Sequence, residues 1–148
     1  DLDSAIAAIQ TWAGKVDGIG KWIDVPHDTG NFTTDTGTWT VEAGDQLLFA
    51  YMVIGDTMWV NFNFVNTTLT GTPTELRVQI PGGFSATTQE WTGFVGAFGT
   101  VEQLAVVVTR KSALANQLSI QRIPVVAWAN STNAQVVRGG LCFKVHRT

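Results

Sequence analysis

Cysteine is nearly absent from this sequence, in which Cys142 is the only one among 148 residues. A single cysteine excludes an internal disulfide framework and most cysteine-based metal sites. The fold must therefore be stabilised by packing or by oligomerisation. The length leaves room for one domain with a single sizeable core. The chain begins at Asp1 without methionine and shows no signal peptide, so we expect a piece of a longer polypeptide.

Charge is also scarce, because charged residues make up only 14% of the chain and the net charge of −3 comes without any basic run. Nucleic-acid binding needs a positive surface that neutralises phosphates, so no nucleic-acid partner is expected. No apolar stretch approaches the roughly 18 residues of a membrane span, and a polybasic patch is missing, so no membrane insertion is expected. A low-charge surface suits a chain that buries part of its exterior against identical partners.

Residues for nucleophilic or metal chemistry are few. His27 and His146 are the two histidines, and neither stands in a recognisable nucleophile or zinc motif. Asp24, His27 and Asp28 are near one another along the chain, but a solvated loop explains them better than an ion site. Residues 28–35 lack the spacing of a defined calcium loop. We therefore expect no metal and no cofactor.

Paired carboxylates would be needed for glycosidase chemistry, in which two of them flank the scissile bond. Turn positions and exposed strand faces explain the individual candidates, and nothing singles out a pair. We therefore predict no catalytic residue and no enzymatic activity. The candidates considered are Glu42, Asp45, Asp56, Glu75, Glu90 and Glu102.

A heptad pattern marks the N-terminus, where apolar residues recur with the 4-3-4-3 spacing of a coiled-coil seam. Two interpretations are open for this short helix: it packs on the β domain, or it is the end of a longer coiled coil, which we favour. We assign residues 1–20 to this helix or stem and residues 21–38 to a connector with one short edge strand near Trp22 to Val25. The seam residues are Leu2, Ile6, Ile9, Ala13 and Val16.

From residue 39 onward the apolar pattern has the period of two that is typical of β-strands. Gly55-Asp56 between two apolar runs is a strong hairpin signal. Roughly eight strands without an intervening helix predict an antiparallel β-sandwich or jelly roll over residues 39–148. The residues predicted to face its core are Met58, Val60, Phe62, Phe64, Leu76, Val78 and Ile80.

Tryptophan is abundant, with six in the chain, and its ring can either fill a core or stack on a sugar. Trp59, Asn61 and Asn63 should share the strand face opposite the core, where amide side chains can bond to hydroxyl groups beside the aromatic ring. Trp91 and Trp128 stand near predicted loops. These five residues are the predicted ligand-binding residues, although core filling is the commoner role of any single tryptophan.

Between residues 39 and 84, turn glycines and apolar strand residues recur in a distinctive order. They are Trp39, Gly44-Asp45, Ile54-Gly55, Thr57, Val60, Phe62, Gly71-Thr72-Pro73, Leu76, Val78, Ile80 and Pro81. This order resembles the C-terminal β domains of phage and prophage tail-fibre and receptor-binding proteins. The resemblance implies a β-sandwich head in a homotrimeric fibre, and it transfers no ligand site.

The function expected from these features is that of a trimeric receptor-binding tip on a virion, on the extracellular side of a phage tail or fibre. Its target would be a glycan or a protein on the host cell surface. Two alternatives stay open: a virion decoration or baseplate domain without receptor binding, and a carbohydrate-active enzyme domain.

Overall fold

A computed structural model describes residues 1–16, 20–88, 91–98, 102–110 and 114–147. Within these residues the chain forms one α-helix, α1, at Leu2–Val16, followed by β-strands. The strands are β1 (Ile23–Asp24), β2 (Phe32–Thr34), β3 (Thr38–Thr40), β4 (Gln46–Ile54), β5 (Thr57–Thr70), β6 (Glu75–Gln79), β7 (Phe84–Ala86), β8 (Trp91–Phe98), β9 (Glu102–Thr109), β10 (Gln117–Arg122) and β11 (Ser131–Arg147).

The strands form a curled antiparallel sheet in the order β1-β4-β5-β11-β8-β9-β10-β6-β2, with β3 also paired to β5 and β7 to β11. The curling brings the β2 end of this order against β4 and β5. Phe32 of β2 lies with its ring centroid 6.5 Å from that of Phe49 in β4 and 5.0 Å from that of Phe64 in β5. The predicted all-β, sandwich-like fold with a short N-terminal helix is confirmed.

Strand β5 shows why the alternating pattern is informative. Its apolar row faces the core, and the turn at Gly55-Asp56 joins it to β4, with Ile54 opposite Thr57. Gly55 has φ = +62°, a conformation that glycine adopts without steric cost. All seven residues predicted to face the core are buried: Met58, Val60, Phe62, Phe64, Leu76, Val78 and Ile80.

The segment predicted as a connector, residues 21–38, contributes more to the sheet than expected. The predicted edge strand is present as β1, with Ile23 opposite Tyr51 of β4. A second strand, β2, pairs with β6 and places Phe32 in the hydrophobic core. Three residues between polar turns carry too little periodicity to mark a strand, so the sequence alone did not indicate β2.

A buried chain of hydrogen bonds fixes β3 and β11 to the middle of the sheet. The indole Nε1 of Trp39 donates to Thr67 Oγ1 at 2.9 Å, and this hydroxyl donates to the backbone oxygen of Gln135 at 3.1 Å. The register of β5 against β11 shifts on both sides of Gln135. Pairing of these buried polar groups avoids the cost of leaving them unsatisfied, which is about 1–3 kcal/mol for each.

Asp35, between β2 and β3, anchors the loop that enters β6. Its Oδ1 accepts hydrogen bonds from the backbone N–H groups of Thr74 and Glu75, each at 3.0 Å, and its Oδ2 accepts one from the Thr74 hydroxyl. Burial raises the pKa of Asp35, but hydrogen bonds from Thr74, Glu75 and Thr36 together lower it by more. The pKa therefore lies below its ordinary value of 3.8.

We expect Asp35→Ala to lower the free energy of unfolding at neutral pH and to lower it less in acid. Because the folded pKa of Asp35 is below the unfolded value, its carboxylate stabilises the fold above the unfolded pKa. This contribution disappears as the pH falls through the folded pKa. Chemical denaturation of both proteins at about pH 7 and about pH 2 measures the difference. An equal difference at both pH values would contradict the proposed anchor.

Candidate functional site

The outer face of β5 carries three of the predicted ligand-binding residues. Trp59 and Asn63 are half-buried there and Asn61 is exposed, while the residues between them face the core. Their predicted position on one face, opposite the core row, is confirmed. Trp59, Asn61 and Asn63 are called the β5 platform below.

Strands β4 and β11 flank the platform, and each of its residues has a direct partner on both sides. Strand β4 contributes apolar side chains, whereas β11 contributes a thiol, a glycine and a guanidinium group. The cross-strand rows are Met52–Trp59–Cys142, Ala50–Asn61–Gly140 and Leu48–Asn63–Arg138. An aromatic ring thus lies beside two amides and a cationic side chain on one sheet surface.

Gly140 is the residue that allows the Asn61 side chain to lie close to the sheet. A Cβ at Gly140 would be only 2.2 Å from Asn61 Oδ1 and 3.0 Å from the backbone oxygen of Val60. Any larger residue at position 140 would displace the amide from this place. The lack of a side chain at Gly140 therefore leaves room for the Asn61 amide close to β11, next to Trp59.

Asn63 has an unmet hydrogen-bonding group. Its Oδ1 is buried and accepts no hydrogen bond from the described residues. An unsatisfied buried acceptor is costly, and this oxygen is closed off from solvent, so a ligand hydroxyl could reach it only after the amide turned outwards. The exposed Arg138 is its cross-strand partner on β11. These groups suit a ligand with several hydroxyl groups and one flat apolar face.

Of the other two predicted ligand-binding residues, Trp128 lies in the core and not on this platform. Trp128 is fully buried, and its backbone N–H donates to the oxygen of Pro73 at 2.7 Å. It presents no ring face to a ligand, so its position does not support the predicted binding role. Trp91 begins β8, with its backbone opposite Val108, and its side chain lies outside the described part of the chain.

Three of the candidate carboxylates, Asp45, Asp56 and Glu75, have structural partners. The hydrogen bond and the positive charge of Lys144 lower the pKa of Asp56. In the described ranges, no three His, Cys, Asp or Glu residues gather in a way that would hold a metal ion. Asp45 Oδ2 accepts a hydrogen bond from the Glu42 backbone N–H at 2.9 Å, and Asp56 Oδ1 lies 2.6 Å from Lys144 Nζ. Glu75 forms ion pairs with Arg77, whose Nε is 3.1 Å away, and with Arg110.

A second exposed apolar surface is the first part of the heptad seam of α1, where the side chains of Leu2, Ile6 and Ile9 are described. The helix starts at a cap in which Asp1 Oδ1 accepts a hydrogen bond from the Ser4 backbone N–H at 2.8 Å. Leu2 is 75% exposed, Ile6 44% and Ile9 64%. These three side chains are therefore not buried against the β domain, and the coiled-coil interpretation of α1 stays a prediction. Among the described residues, no helix has the length and apolar character of a membrane span.

Comparisons of the chain with protein-family models, with curated proteins and with solved structures give no match. The resemblance over residues 39–84 therefore stays a prediction.

Proposed function

We propose that this chain is the non-enzymatic receptor-binding tip of a trimeric virion fibre, which attaches to a glycan or a protein on the host cell surface. The observation that carries the proposal is the exposed heptad seam of α1. Apolar side chains at a and d positions stabilise a short helix only when a partner surface buries them, and in a coiled coil that surface is another helix. Copies of the same chain supply such helices in register.

The residue types along the seam favour three helices over two. The 4-3-4-3 spacing places Ile6 at an a position, and Leu2 and Ile9 at d positions. Isoleucine at both a and d shifts the preference of parallel coiled coils from dimers towards trimers and tetramers. A low-charge exterior is compatible with β domains that lie side by side at the end of such a stem.

The β5 platform supplies the chemistry for attachment. A sugar ring has an apolar face that can stack on Trp59, and its hydroxyl groups can bond to the amides of Asn61 and Asn63. One such site gives weak binding, because an exposed platform buries little ligand surface. Three copies on one stem convert later binding events into intramolecular ones, so the whole particle is retained far longer than one domain.

Light scattering at micromolar concentration tests the assembly, and adsorption to host cells or to a glycan array tests attachment. The proposal expects a mass of three chains together with adsorption. A strictly monomeric protein contradicts the fibre proposal. A trimer that adsorbs to none of the surfaces tried favours the alternative of a virion decoration or baseplate domain.

We expect Trp59→Ala to reduce binding by a single β domain by about 2- to 13-fold, since an aromatic stacking contact contributes about 0.5–1.5 kcal/mol. The variant should remain folded and trimeric, because Trp59 is half-buried on the outer face and not part of the core. Titration of a soluble ligand identified on the array measures the change. The matched control is Gln79→Ala, a half-buried side chain on β6, far from the platform in strand order. Equal binding by wild type and Trp59→Ala would exclude the platform.

A further inference from the structure

Large apolar side chains are exposed where the chain enters the β domain. Trp22, just before β1, and Ile54, at the end of β4, are both more than two-fifths exposed, at 45% and 42%. In the β1–β4 register Ile23 is opposite Tyr51, so one further residue along the same antiparallel register corresponds to Trp22 beside Met52. Trp22, Met52 and Ile54 are called the entry patch below.

The stretch of chain between α1 and the entry patch is short, so the patch stays close to the end of the helix. A Cβ on Gly20 would lie 3.7 Å from Ile54 Cδ1 and 3.9 Å from Met52 Sδ, so Gly20 borders the patch. Helix α1 ends at Val16, a seam position. Four peptide steps separate Val16 from Gly20, and these can span at most about 14 Å.

This short tether restricts which surface can meet a neighbouring copy. Helix axes in a coiled coil are about 8–10 Å apart, so the Gly20 residues of the copies start close to a common axis. Strand β5 begins next to the patch and continues for 14 residues, about 45 Å, before it reaches the opposite end of the domain. The entry patch is therefore an apolar surface that the tether keeps near the axis.

Charge does not oppose contact between copies at this place. The exposed ions nearest the β4–β5 turn, Asp56 and Lys144, form an ion pair with each other at 2.6 Å. Two further charges near the patch, Lys21 and Asp24, are also opposite in sign. An uncharged apolar surface rimmed by balanced ions is typical of contacts between subunits.

We propose that the entry patch is the contact between the β domains of neighbouring copies of this chain, directly below the coiled coil. This inference rests on the proposed trimer. Because Met52 is the cross-strand partner of Trp59, the β5 platform then begins one strand away from the subunit boundary. A ligand stacked on Trp59 lies next to the neighbouring copy, and this copy extends the binding surface.

Chemical cross-linking of introduced cysteines tests the contact. The exposed Cys142 is first changed to serine, so that the introduced thiol is the only one in the chain. Ile54→Cys and, as the matched control, Val125→Cys are then treated with a bismaleimide whose spacer is about 10 Å, the distance between neighbouring helix axes. Val125 is 63% exposed and follows β10, close in the chain to Trp128, which is bonded to the β5–β6 loop. Both variants are compared on denaturing gels.

The proposal expects covalent dimers for Ile54→Cys at protein concentrations where the trimer forms, and few for Val125→Cys. A trimer in which the two variants cross-link equally, or in which only Val125→Cys does, overturns the entry-patch contact and leaves the fibre proposal intact. A wild-type protein that is monomeric by light scattering overturns the fibre proposal itself. The two failures are therefore distinguishable.

Discussion

Replacing Phe64 by alanine is expected to lower the free energy of unfolding by about 3–5 kcal/mol, a large part of the 5–15 kcal/mol that stabilises an ordinary domain. Phe64 is fully buried. Its ring centroid lies 5.0 Å from that of Phe32, 5.8 Å from Trp39, 5.7 Å from Phe49 and 5.4 Å from Phe62. Removing the ring loses these contacts and leaves a cavity.

The effect is large because this aromatic cluster joins distant parts of the sheet order. Phe32 belongs to β2 at one end of the order, whereas Phe49 and Phe64 belong to β4 and β5 near the other. Loss of the Phe64 ring therefore weakens the contact that closes the sandwich. The midpoint of urea denaturation, at unchanged slope, measures the change. The matched control is Phe84→Ala, which removes a phenylalanine ring from the partly buried edge of the core. It should lower the free energy of unfolding clearly less than Phe64→Ala does. Equal losses would contradict the central role of Phe64.

The sequence predicted the inner row of β5 and β6 correctly because burial on one face forces a period of two. Along β5 the buried residues alternate with half-buried or exposed ones from Met58 to Phe64. The turn at Gly55-Asp56 was equally predictable, since a tight hairpin needs a residue that tolerates positive φ. Local rules thus explain the buried rows of β5 and β6 and the turn that joins β4 to β5.

Pairing between strands far apart in the chain was beyond these local rules. Strand β5 pairs with β11, where Val60 is opposite Leu141, some eighty residues later. Nothing in either strand identifies the other, because a row of apolar side chains packs equally well beside many partners. Phe32 was missed for a related reason: its strand is stabilised by β6 and by rings from β3, β4 and β5, and not by its own short pattern.

The candidate site was predictable to the same extent as the fold. The alternation placed Trp59, Asn61 and Asn63 together on the outer face. It could not indicate Gly140 or Arg138, which reach the platform only through the pairing with β11. Trp128 was predicted to stand near a loop, where its ring could face a ligand, whereas the indole is fully buried in the core.

Replacing Ile6 by aspartate is expected to convert the proposed trimer into monomers, which light scattering or sedimentation would report as a fall from three chain masses to one. Ile6 is an a position of the seam, so three carboxylates would meet in one layer of the coiled coil. Charges that are buried without partners cost several kcal/mol each. A seam of about two heptads has too few apolar layers to offset this cost. The β domain should keep its denaturation midpoint, because Ile6 is not part of its core.

The matched control for Ile6→Asp is Ala8→Asp, which adds the same charge to the same helix outside the seam. Ala8 is exposed and two positions from Ile6. Alanine has the highest helix propensity, so replacing Ala8 by aspartate lowers the helix propensity at least as much as replacing Ile6 does. If weakened helicity alone dissociated the trimer, Ala8→Asp would do so at least as readily. If Ala8→Asp is trimeric and Ile6→Asp is monomeric, the seam holds the trimer together. If Ile6→Asp is also trimeric, the contacts that hold the trimer lie on the β domain.

The Ile6→Asp monomer should still bind a soluble ligand through Trp59. It should no longer be retained on a surface that displays many copies of the ligand, because avidity needs linked sites.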